Sequence, residues 1–196
     1  SKNQYLHYNT NGTIFPEKYI NLLNQFQTVD IQISSDGIGK KFDYLRHGSP
    51  FEVCEENIDK FINARDNSST TWYVGACLSL SAFNAWDIFE TYEHYASKGI
   101  RMYINTVHDH HGVRVLPKKT KQKIIEKVKN TTSKHDYQDW EKQKLMICNL
   151  LSNTSGTDYD WKNFWKEILM RDKIRNESFA DTFPEYYNIL KETTSV

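Results

Sequence analysis

The chain is poor in the features that mark several common protein classes. It has only three cysteines, Cys54, Cys77 and Cys148, far apart and in no C-x-x-C spacing, so a disulfide framework and a zinc knuckle have little support and buried free thiols are expected. Eight glycines and four prolines in 196 residues, beside 14% aromatic residues, exclude a repetitive or disordered chain. Neither sign of charge is in excess: 25 Lys and Arg balance 25 Asp and Glu, and no net field draws the chain to nucleic acid or an anionic membrane. No apolar run approaches the roughly 20 residues that span a bilayer, and the opening SKNQYLHYNT lacks the basic flank and apolar core of a signal peptide. A cytoplasmic setting without membrane is expected. The phosphate motifs GxGxxG and GxxxxGK[ST] are absent, which leaves nucleotide triphosphates and dinucleotides little support.

What is present is an alternation of strand and helix signals in a length that suits one domain with a real core. Tyr5 to Asn9 reads as a strand, broken by Asn9-Thr10-Asn11-Gly12 and followed by the helical pattern Tyr19, Ile20, Leu23, Phe26. Val29 to Ser34 is a second strand, closed by Ser34-Ser35-Asp36-Gly37, and Ser49-Pro50 with Glu52 reads as a capping box that opens a helix. Thr71 to Ser81 is a third strand, with Asn84 as N-cap, Asp87 at the third helical position and Gly99 to end that helix. Arg101 to Val107 is a fourth, and Pro117 starts a helix after a His-rich loop.

Four strand-helix units call for a parallel sheet with right-handed crossovers. Beyond about Val128 the strand pattern stops, and Tyr137 to Leu151, Trp161 to Arg171 and Pro184 to Leu190 look helical. Asn130-Thr131-Thr132-Ser133 is the best hinge. The expected fold class is therefore α/β: a partial parallel (β/α) barrel of about four β/α units over residues 1–129, with a helical carboxyl-terminal extension over residues 130–196 packed on it.

In parallel α/β folds ligands lie outside the carboxyl ends of the strands, and here those ends are polar: Asn9 to Gly12, Ser34 to Gly37, Ser79 through Ser81 to Asn84, and His108 to His111. Strand parity puts Asp30, Gln32 and Ser34 on one face and Val29, Ile31 and Ile33 on the other. His7 and Asn9, and Cys77, Ser79 and Ser81, follow the same scheme, as if lining a lumen; an edge strand of an open sheet facing solvent is the alternative.

Asn11-Gly12 in YNTNGT, DIQISSDGIG from Asp30 to Gly39, the FDYLRHGS run around Arg46 and Glu56-Asn57-Ile58 resemble, in order and spacing, the middle of radical S-adenosylmethionine enzymes, especially the branch called twitch-domain-containing. The strand ending in Ser81 with Asn84, the NTVHDH segment before Leu116-Pro117 and RDKIRNESFADTFPE resemble the same branch, so the likeness runs over nearly the whole chain. The resemblance implies a partial barrel that binds S-adenosylmethionine against a 4Fe-4S cluster, whose electron cleaves the sulfonium to a 5′-deoxyadenosyl radical. It implies Ser34 and Asp36 near the methionine or ribose, Arg46 on a carboxylate or hydroxyl of the cofactor, Asn84 hydrogen-bonding it, and Asn11 bordering the pocket. These types suit the task, since Arg grips carboxylates in bidentate fashion and neutral donors fit ribose hydroxyls.

The family's C-x-x-x-C-x-x-C cluster loop and Gly-Gly-Glu turn do not occur, and the first strand here matches the family's third. Three scattered cysteines cannot supply the cluster loop, so the chain is expected to be inactive alone, as a fragment, a split half or an inactive remnant. An open edge on the first strand invites a complementing amino-terminal half or a homodimer. Two other classes stay open. His108-Asp109-His110-His111 suggests a metal-dependent hydrolase, which bound metal would reveal. A helical tail carrying Trp140, Trp161 and Trp165 suggests a non-catalytic interaction module, though tryptophans at helical spacing are more often core.

Overall fold

The structure, a computed structural model, describes residues 4–135 and 139–193. Four parallel strands form one sheet in the order of the sequence: β1 (Tyr5–Thr10), β2 (Thr28–Ser34), β3 (Thr71–Leu80) and β4 (Arg101–Thr106). Helices alternate with them: α1 (Ile20–Leu23) after β1, α2 (Gly39–Leu45) and α3 (Phe51–Asp66) after β2, α4 (Ile88–Ser97) after β3, and α5 (Lys118–Lys129) after β4. The chain ends in a helical region of α6 (Trp140–Asn153), α7 (Asp158–Arg175), α8 (Phe179–Thr182) and α9 (Pro184–Thr193). This is the α/β architecture expected from the strand-helix alternation, consistent with a partial barrel. Among the described residues no helix is long and apolar enough to cross a membrane.

The chain forms two compact units, Ser1–Leu78 with His94–Tyr103, and Ser79–Glu93 with Ile104–Val196. In the first, alternation along β2 sends Val29, Ile31 and Ile33 to a face where each is fully buried. Cys54, Ile58 and Phe61 of α3 recur at helical spacing and are equally buried. Between strand and helix passes Gly12 at φ +78°: a Cβ there would lie 2.9 Å from Ile33 and 3.6 Å from Cys54, so only glycine gives both the conformation and the room. In the second unit the core is aromatic. Phe83 meets Phe164 edge-on at 4.6 Å, Phe179 stacks on Phe183 at 4.6 Å, and the buried hydroxyl of Tyr186 donates to the carbonyl of Ala82 at 2.7 Å. Trp140 and Trp161 are buried here.

Several local expectations are corrected. The capping box at Ser49 does not form: Pro50 is the N-cap of α3, without a side-chain cap, and the carboxylate of Asp43 accepts the Phe51 amide at 2.6 Å instead. Asn84 caps no helix with its side chain; it precedes a 3-10 turn at Ala85–Asp87 and bonds backward to Ser81. The helical pattern from Tyr19 to Phe26 yields only the single turn of α1, and the run from Gly39, for which no element was expected, forms α2. Tyr137, the expected start of a helix, lies outside the described residues, and α6 runs from Trp140. Gly99 does end α4, in the left-handed region at φ +71°.

Candidate functional site

The polar face of the sheet in the first unit gathers the residues that parity predicts. Register sets His7 beside Asp30 and Asn9 beside Gln32 across β1 and β2, and Asp30 beside Tyr73, Gln32 beside Gly75 and Ser34 beside Cys77 across β2 and β3. Asp30 is the hub. Tyr5 Oη donates to its Oδ2 at 2.5 Å, His7 Nδ1 lies 3.0 Å from the same oxygen, and Gln32 Nε2 donates to Oδ1 at 2.6 Å. Burial pushes the Asp30 carboxyl up, but the hydrogen bonds from Tyr5, Gln32 and His7 outweigh it and hold the group below its ordinary value. The Tyr5 hydroxyl, bonded to that carboxylate, is pushed up to about 12.

Gly75 makes this arrangement possible. A Cβ there would collide with the Gln32 amide oxygen and approach the Arg101 carbonyl at 3.1 Å, so glycine lets Gln32 lie across the sheet. The exposed rings of Tyr5, Tyr73 and Tyr103 and the Arg101 guanidinium, 5.1 Å from the Tyr103 ring, complete a surface of carboxylate, amide and aromatic groups. Period-two alternation was the signal for this face. It did not single out Tyr5, Tyr73 or Gly75.

The five expected cofactor residues are dispersed in role. At the end of β2, Asp36 and Arg46 come together: Nη1 donates to Oδ2 at 2.6 Å, with both side chains about four-fifths buried. The Arg46 Nε is buried and has no hydrogen-bond partner among the described residues. Ser34 sits half-buried two residues before Asp36, opposite Cys77. Asn11 serves its own turn, its Oδ1 accepting from the Thr13 amide at 3.1 Å and the Thr13 hydroxyl at 2.8 Å. Asn84 falls in the second unit, where its Oδ1 accepts from the Ser81 amide at 2.8 Å and its Nδ2 donates to the Ser79 carbonyl at 3.1 Å. These two asparagines shape loops, a role that short polar side chains fill readily.

The His-rich loop finds partners within the second unit. His111 Nε2 lies 2.7 and 2.9 Å from the two carboxylate oxygens of Glu167 on α7, and Arg171 grips the same carboxylate through Nε at 2.9 Å and Nη2 at 2.6 Å. Despite burial, which pushes it up, Glu167 is held below the ordinary carboxyl value by His111 and Arg171. His110, His111 and Glu167 each offer a ligand atom, all within 4.8 Å of one another. Glu167 lies 56 residues beyond His111, so no local pattern revealed it.

An iron-sulfur cluster does not fit the thiols. Cys54 and Cys148 are buried and Cys77 partly so, all three are pushed above the ordinary thiol value by burial, and no candidate metal group among the described residues contains a cysteine. The Arg46 Nε beside Asp36, without a partner among the described residues, is a donor that the carboxylate of a ligand would satisfy.

No protein-family model matches the chain, and no curated protein matches it. One solved structure that aligns with it is "Native anSMEcpe with bound AdoMet", at 15% identity, covering 89% of this chain and 43% of that chain with a TM-score of 0.44. The chain spans less than half the length of that protein, and a likeness at this level assigns it no activity.

Proposed function

We propose that the first unit is a wall of a radical S-adenosylmethionine-type β/α barrel that binds the cofactor at the end of β2. The observation that carries this reading is Arg46: a mostly buried guanidinium, paired at 2.6 Å with Asp36, whose Nε has no partner among the described residues. A methionine carboxylate would take the unspent donors of Arg46, while Asp36 and Ser34 would meet ribose hydroxyls. The Asp30 carboxylate and the exposed tyrosine rings suit a cationic sulfonium and an adenine on the same face. When held against a reduced cluster, the cofactor supplies a 5′-deoxyadenosyl radical. These residues bind and orient it, and the thiolates for a cluster would come from elsewhere.

The edge of β1, flanked by exposed Ile14, Tyr19 and Leu22 around an apolar groove of about 510 Å³, is where a complementing chain would add. Calorimetric titration with S-adenosylmethionine after anaerobic iron-sulfur reconstitution tests the reading. Weak saturable binding without iron, at least about tenfold weaker in Arg46→Ala, is expected for loss of a charged hydrogen bond. No binding by a folded chain would sink it, and a stable cluster on the chain would refute the cysteine argument. Failure to bind, together with a defined hetero-complex, would mark an interaction module.

A second reading has one observation in its favour: Glu167 joins His110 and His111 in a metal-ligand set. A divalent ion would replace the proton between His111 and Glu167. The Arg171 guanidinium, 3.3 Å from His111 Nε2, opposes added positive charge there and ranks this reading second. Zinc retained through dialysis and lost in Glu167→Gln would promote it; no retained zinc removes it.

A further inference from the structure

The second unit contains a cavity of about 600 Å³ walled by the starts of α5 and α7 and the loop before α7. Its size falls within the range of roughly 300–1,000 Å³ usual for small-molecule sites. Lys121, on the first turns of α5, lines it and is only 5% exposed. The Lys121 ammonium donates to two backbone carbonyls, Arg114 at 3.0 Å and Thr154 at 2.7 Å, and no carboxylate among the described residues pairs with it. An ammonium has three donors and a full charge. Two neutral oxygens leave the charge uncompensated, a costly state for a buried cation. Burial and the neighbouring Arg114 charge both lower the Lys121 pKa, which describes the same deficit.

Two independent observations point the same way. Trp161, 6% exposed, lines the cavity, and its buried indole N–H has no partner among the described residues, although such groups usually find one. The start of α5 has Pro117 as N-cap, no side-chain cap and no acidic residue in its first turn, so the positive end of the helix is uncompensated. Among the lining residues the sole acid is Asp158, which is exposed. The rest of the wall presents more apolar than polar surface, with Val115, Leu116, Ile125 and Leu151 beside the polar side chains of Lys118, Gln122 and the loop before α7.

From this cavity we infer a binding site for a small carboxylic acid with an apolar body, its carboxylate on Lys121 and its body against Leu116, Leu151 and Trp161. Of the two lysines that line the cavity only Lys121 is buried, Lys118 being exposed to solvent, and a single buried ammonium suits a monoanion rather than a phosphate, which would call on several more buried donors. Gly156 holds the loop in place: a Cβ there would lie 2.6 Å from the Arg114 carbonyl, the oxygen that Lys121 also bonds.

The purely structural role, in which Lys121 only pins two loops, makes a different prediction. Hexanoate and 1-hexanol, matched in body and differing in charge, serve as probes on the full chain, read by NMR at the Trp161 indole resonance assigned with Trp161→Phe. The expected result is a saturable shift with hexanoate, binding at least about tenfold weaker for hexanol, and loss of that preference in Lys121→Met. No saturable shift with hexanoate, equal binding of acid and alcohol, or a preference that survives in Lys121→Met would overturn the inference. Should Lys121→Met fail to fold, the ratio of acid to alcohol in the unaltered chain decides by itself.

Discussion

In the first unit the partly buried carboxylates are answered by donors from the same unit. Asp30 receives Tyr5, His7 and Gln32; Asp36 receives Arg46; Glu55 receives His94 at 3.1 Å and Lys98 at 2.7 Å. In the second unit Lys121 is more deeply buried than any of these, yet among the described residues its ammonium meets only carbonyl oxygens. A charge compensated within the chain fixes the shape of its surroundings, and a charge that is not leaves a vacancy of sign that a ligand can fill. Arg46 lies between the two cases, with one nitrogen paired and one orphaned.

The largest effect is expected from the apolar side of the sheet. Ile31→Ala, at a fully buried position, should destabilise the chain by about 2–5 kcal/mol, whereas Asp30→Asn on the opposite face should remove only about 1 kcal/mol. Equal shifts in denaturant midpoint would erase the distinction between the faces. Next, Asp36→Ala strands the mostly buried Arg46 guanidinium and should take away about 1–3 kcal/mol. Lys121→Met removes a charge that has no counter-ion among the described residues and should change stability by less than about 1 kcal/mol; the reverse order would contradict the comparison. Thr157→Ala breaks the capping box at the start of α7, where Thr157 and Asp160 satisfy each other's amides, and should cost about 1 kcal/mol of thermal stability.

The smallest and most graded effect concerns pH. Asp30 and Glu55 both sit below their ordinary values, since hydrogen bonds and neighbouring charges outweigh burial. Stability from such groups is fully present above the unfolded-state carboxyl value of about 4 and is lost as pH falls through the lower folded value. Chemical denaturation should therefore show a loss starting below about pH 4 that is reduced in Asp30→Asn. An acid limb identical in the two proteins would mean that Asp30 contributes nothing to it.

The sheet was legible because its signals are short-range: Val29, Ile31 and Ile33 alternate with Asp30, Gln32 and Ser34, and period two converts directly into faces. The Lys121 anomaly was also written in the chain, three residues before the buried Ile124 and seven before the buried Val128, so a lysine stands on the apolar stripe of α5. Other features were not legible, because they depend on distant partners. Asp43 reaches the start of α3 from another helix and displaces the Ser49 cap, and Glu167 meets His111 only through tertiary packing. Asn11 and Asn84 were expected beside a ligand, and their turn-closing hydrogen bonds to Thr13 and Ser81 were not legible beforehand, because the amide that can bind a ligand also closes a turn.

The central claim is that the end of β2 holds S-adenosylmethionine through Arg46. Residue-resolved NMR titration of the full chain with S-adenosylmethionine addresses it most directly. The account predicts saturable shifts concentrated at Ser34, Asp36 and Arg46 and absent in Arg46→Ala. Shifts confined to the cavity around Lys121 and Trp161, or none at all in a folded chain, would contradict it.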